Sequence, residues 1–119
     1  MKFHPNSLAH IHRMDSIGIL LDRDEEMLQF LLGSIPTGLR LPGQRLREES
    51  ENFSPGQRLL IQAALDLWDG SGRLCLTEAL DIWEEDNWIR FIRALCHRKE
   101  IRYEVLCELI ADENPARGP

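Results

Sequence analysis

The chain lacks the short motifs around which many enzymes are built. There is no G-x-x-x-x-G-K phosphate loop, no H-E-x-x-H, no G-x-S-x-G and no G-x-G-x-x-G. The scaffolds for the commonest nucleotide, zinc, serine-nucleophile and dinucleotide chemistries are therefore missing. No Glu-x-x-His pair is present for a di-iron bundle. The expectation is a non-enzyme with no catalytic residue and no cofactor. Long apolar runs are also missing. A membrane helix needs about 20 apolar residues in a row, so no membrane association is expected. No apolar segment of a secretory signal comes after Met1-Lys2. Cysteine is scarce and odd in number, with Cys75, Cys96 and Cys107 far apart and no C-x-x-C. Free, buried thiols in a reducing compartment are expected, and with them a cytoplasmic protein. Lysine is nearly absent: 14 side chains are Lys or Arg, and Lys2 and Lys99 are the two lysines. Twenty acids leave a net charge of -6. Such a field favours cationic partners and disfavours nucleic acid.

What is present is helix-forming. The 119 residues, 43% hydrophobic and 29% charged, suit one domain with one modest core. Ser7 can cap a short helix carrying Leu8, Ile11 and Met14; the next apolar run, 17–21, is ambiguous between helix and strand. Acids at 24–26 precede Met27, Leu28, Phe30, Leu31 and Leu32, and Gly33 is a natural stop. Ser54-Pro55-Gly56-Gln57 is the sharpest helix start in the chain, with Ser54 as cap, Pro55 in the first turn and Gln57 closing a capping box. Leu60, Ile61, Ala64, Leu65, Leu67 and Trp68 then form a broad apolar face. Thr77 can cap a short helix to Trp83. Asp86 can cap another to about Arg98, with Trp88, Ile89, Phe91, Ile92, Leu95 and Cys96 inward. A last helix is expected over about 100–112.

The fold expected is mainly α: a single compact helical domain of about five helices over 1–119. Its ends, 1–6 and 113–119, are expected to fray. Residues 34–53 read as a long loop, with an irregular or small β-hairpin segment near 36–50, because Leu41-Pro42-Gly43 suits a tight turn.

Between the two best helical segments lies Trp68-Asp69-Gly70-Ser71-Gly72-Arg73-Leu74-Cys75-Leu76-Thr77-Glu78. With Gly72 at the sixth position this stretch resembles an EF-hand calcium loop. The resemblance puts Asp69 third, Ser71 fifth, Leu74 at the apolar eighth position and Glu78 twelfth. It implies weak calcium binding by Asp69, Ser71 and Glu78, because the first position is Leu67 and the ninth is Cys75. Without metal, the same residues simply end one helix and begin the next. His4, His10 and His12 form no better site, since two His at i and i+2 do not share a helix face.

Charge is segregated along the C-terminal half. Residues 66–86 hold seven acids and one base; residues 87–102 hold five bases and one acid. Arg90, Arg93 and His97 are expected on the outer face of the 86–98 helix, with Glu84 and Glu85 at its start. These five are the expected partner-binding residues. A helix-turn-helix over 77–98 is an alternative, but its reading helix would open with Glu84-Glu85-Asp86 against phosphates. Trp68, Trp83 and Trp88 are expected in the core. The function expected is a non-enzymatic interaction or regulatory protein of a bacterium or phage, docking another protein through this charged and aromatic surface. A degenerate EF-hand and a DNA-binding helix-turn-helix are the alternatives, and a homodimer is a further expectation.

Overall fold

A computed structural model describes residues 8–22, 24–34, 38–102, 104–105 and 107–108, with residues 8–10 described in their backbone alone. The helix start at Ser54 opens the hub of the fold, α4 (Pro55–Trp68). The amide of Gln57 donates to Ser54 Oγ at 3.3 Å, and the Ser54 amide donates to Gln57 Oε1 at 3.1 Å. This is the reciprocal capping box read from the sequence. Beyond it, Leu59, Leu60, Ile61, Ala63, Ala64, Leu65, Leu67 and Trp68 are all buried. A helix apolar on most of its circumference has to be surrounded, and α4 is.

Two helices come early in the chain. In α1 (Leu8–Leu21) the short helix and the apolar run fuse into one element. Ile17, Leu20 and Leu21 are fully buried, and buried Ser16 donates to the His12 carbonyl at 2.9 Å. In α2 (Glu25–Leu32), Asp24 caps by accepting from the Met27 amide at 3.1 Å, and the helix stops at Gly33, whose φ is 77°. Both boundaries agree with the sequence expectation. The segment after α2 is tied back onto it. Arg40 donates from its backbone to Leu31 O and from Nε to Phe30 O, with its guanidinium over the Phe30 ring.

The expected hairpin is not there. No strand occurs among the described residues. The region holds α3 (Gly43–Glu49) and a 3-10 turn (Ser50–Asn52) instead. Pro42, at φ -53°, precedes the first turn, and Leu46 is fully buried. Gln44 bonds Glu48, and Arg45 bonds Glu49, along the outer face. These are i, i+4 pairs that support a helix and that no hairpin would make. Within the stretch 34–53 expected as a long loop, residues 43–52 are therefore helical.

After the hub come α5 (Leu76–Ile82) and α6 (Glu85–Lys99). Their expected caps are corrected. Cys75 precedes α5 without a side-chain cap bond and Thr77 lies inside the first turn; Glu84, not Asp86, precedes α6. Trp68 and Trp83 are buried and Trp88 half-buried. Trp83 donates Nε1–H to Gly56 O at 3.2 Å and meets Trp88 edge-on at 5.0 Å. Cys96 is buried, but Cys75 and Cys107 are exposed, so burial holds for one thiol of three. The helix expected at 100–112 does not start at 100. Glu100 is left-handed (φ 62°) and Ile101 is non-helical, while 104–105 and 107–108 are helical. Leu109, Ile110, His4 and both chain ends lie outside the described residues. Altogether six α-helices are described, with α1 lying against α6 and α4, and α4 touching every other helix. Among the described residues no helix is long and apolar enough to cross a membrane.

Candidate interaction surface

The loop leaving α4 is organised around a carboxylate. Asp66 Oδ1 accepts the amides of Gly72 and Arg73 at 2.8 and 3.1 Å, and Oδ2 accepts the Leu74 amide at 2.9 Å. Three successive N–H groups, with Arg73 left-handed at φ 54°, form a concave cradle of the kind that holds anions. The chain supplies its own anion. Gly72 is required there because a Cβ would sit 1.8 Å from the Gln62 carbonyl oxygen on α4. The loop is buttressed from the other side by α3. Arg47 donates to Ser71 O, and Gly43 lies so close that a Cβ would fall 1.9 Å from Ser71 Oγ.

This geometry decides where Asp69, Ser71 and Glu78 go. Asp69 accepts from the Ser71 amide at 3.0 Å and is exposed. Ser71 turns to Gly43 of α3. Glu78 lies across α5 beside Arg58 and Gln62 of α4. The three have different neighbours, and the centre of the loop presents N–H donors rather than oxygens. A calcium ion needs six to eight oxygens. Among the described residues no three His, Cys, Asp or Glu side chains gather as metal ligands. Sequence reasoning missed Asp66, which is the residue that matters most in this loop. An acid one turn before a Gly-x-Gly pair is the signal that marks it.

The face expected to be free on α6 is turned inward. Arg90 reaches Asp22 at the end of α1, at 3.7 Å, and pairs with Asp86 on its own helix. His97 approaches Asp15 of α1 at 3.9 Å and packs on the His12 ring at 4.4 Å. Between them Ala94 is fully buried, and its small side chain lets α1 come close. Arg98 donates to Leu67 O at 3.1 Å and Arg13 of α1 donates to Trp68 O at 2.8 Å. Two guanidiniums thus cap the carbonyl end of α4, where helix dipoles favour positive charge. Burial, and then the neighbouring Arg13, lower the pKa of Arg98. Of the five expected partner residues, Arg90 and His97 are engaged by α1, while Arg93, Glu84 and Glu85 are exposed.

The rotation that turns Arg90, His97 and Arg98 toward α1 and α4 leaves part of the apolar stripe uncovered. Trp88 and Phe91 pack on the core. Leu95 and Ile101 stay more than 40% exposed. Together with Ile92, Cys96 and Lys99 they line an open groove of about 500 Å³. The groove shares Leu95 and Lys99 with a second hollow of about 310 Å³, which Asp66, Leu67 and Arg98 also line. Its end is shaped by a Schellman turn: the amide of Ile101 donates to Cys96 O at 2.8 Å and that of Glu100 to His97 O. In α5, Ala79 alone is buried, and Leu76, Leu80 and Ile82 are exposed. No protein-family model, no curated protein and no solved structure matches this chain.

Proposed function

We propose that the chain is a non-enzymatic protein-interaction protein that docks its partner through the apolar surface left open on α5 and α6. The observation that carries this reading is α5. A seven-residue helix that buries one alanine contributes little to the core, yet it presents three large aliphatic side chains, with Leu80 68% exposed. Leu76 and Leu80, at i and i+4, share one face of the helix, and paired apolar exposure of this kind, rimmed by charge, is what interaction sites present. Exposed Glu84 and Glu85 adjoin the ridge, and Arg93 lies on the exposed side of α6. They serve as the polar rim around an apolar centre.

Leu80→Glu tests the reading. The side chain touches little of the core, so stability stays within about 0.5 kcal/mol of the parent. Tagged protein used to capture partners from its host's lysate then loses them. Capture of the same partner at the same stoichiometry by Leu80→Glu removes α5 from the function.

A further inference from the structure

We propose that the partner is a second copy of this chain, with α5 of one copy lying in the α6 groove of the other. The inference rests on the reading of α5 and α6 as an interaction surface and names the occupant. The two open apolar features of this molecule are opposite in form and in charge. One is a ridge: Leu76 and Leu80 project from α5, and exposed Asp81, Glu84 and Glu85 lie beside and beyond them. The other is a groove lined by Ile92, Leu95, Ile101 and exposed Lys99, with exposed Arg102 the next residue after Ile101. An acidic ridge with aliphatic teeth is complementary to an apolar groove with a basic end, and complementary potentials fix orientation as well as attract. One chain carries both halves, so two copies related by a two-fold axis satisfy ridge and groove twice in one closed interface. Within the segregated stretch, Asp66, Arg90 and Arg98 are engaged inside the chain, and exposed Asp81, Glu84, Glu85, Lys99 and Arg102 are the charges that serve this pairing. A chain of net charge -6 repels its copy overall, so local pairing of opposite charge is what a self-contact here requires.

The test is sedimentation equilibrium of the full chain over a concentration series, with two charge-reversed variants. Asp81→Lys with Glu84→Lys reverses the ridge; Lys99→Glu with Arg102→Glu reverses the groove end. All four side chains are exposed, and thermal melts check that both variants fold. The wild type is expected to dimerise, and each variant alone to weaken the dimer by at least about tenfold. An equimolar mixture of the two is expected to recover the wild-type affinity to within about threefold, because every ridge again meets a groove end of opposite sign. Leu80→Glu is expected to be monomeric. A wild type that stays monomeric to about 0.1 mM, where a dimer of micromolar Kd is almost fully formed, overturns the pairing. So does a mixture no tighter than either variant. If the wild type is monomeric while Leu80→Glu still loses a captured protein, self-pairing falls and the broader reading of α5 stands.

Discussion

The pentapeptide Pro-Gly-Gln-Arg-Leu occurs twice, at 42–46 and at 55–59, and each copy opens a helix. The first yields the seven residues of α3 on the surface; the second yields the fourteen of α4 at the centre. The residues on either side of the pentapeptide make the difference. After Leu46 come Arg47, Glu48 and Glu49; after Leu59 come Leu60, Ile61, Ala63 and Ala64. On the N-terminal side, Ser54 caps α4 with a reciprocal hydrogen bond, whereas Leu41 has no cap to offer and α3 shows none. A shared local signal fixes where a helix begins. Its neighbours decide how long it runs and what it buries.

Substitutions in this pair probe the contrast, the largest effect first. Leu46 is the only large side chain that α3 buries, so Leu46→Ala costs about 3 kcal/mol in urea unfolding. It also releases the amides of 43–49 to rapid hydrogen exchange. Leu59→Ala costs a similar amount, but α4 stays protected by its seven other buried residues. Equal exchange loss in both helices would erase the distinction between them. The two glycines are expected to respond with opposite signs. A Cβ at Gly43 meets Ser71 Cβ at 2.7 Å as well as its Oγ, so rotating the hydroxyl does not relieve the clash. Gly43→Ala therefore costs about 2 kcal/mol. At Gly56 the nearest atom is Ile82 Cγ2 at 3.9 Å, and Gly56→Ala gains about 0.5 kcal/mol by stiffening the unfolded chain and favouring helix. Thermal melts of the two variants side by side read the sign directly. A modest effect is expected at the cap: Ser54→Ala removes one accepted hydrogen bond and costs about 1 kcal/mol, seen as a lower urea midpoint with an unchanged slope.

The twin pentapeptide also explains what was legible in the sequence. Around Ser54 the cap, the proline and the long apolar run agree, and the helix forms as expected. Around Pro42 the same Pro-Gly pair also suits a tight turn, and with one buried leucine the periodicity has nothing to add. The hairpin expectation arose from that ambiguity. Comparison with 55–59 resolves it, since the second copy stands where helix is unmistakable. The inward face of α6 was hidden for a different reason. Periodicity places Ile92 and Leu95 inside, but tertiary partners for Arg90, His97 and Arg98 come from α1 and from the carbonyls ending α4. No local pattern in 85–99 announces them. Asp66 was hidden likewise, because its partners are backbone amides six to eight residues on, and the Gly-x-Gly that follows it is their one trace in the sequence.

The meeting of α1 with α6 carries a consequence for how the molecule is made. Arg13 and Arg98 grip adjacent carbonyls at the end of α4, from positions 55 and 31 residues away along the chain. As synthesis proceeds, α4 emerges while its C-terminal grip is half complete, and the flank of α1 stays wet until α6 leaves the ribosome. Such long-range closure delays the final docking until α6 has been made. Until then, the faces of α1 and α4 that meet α6 stay uncovered.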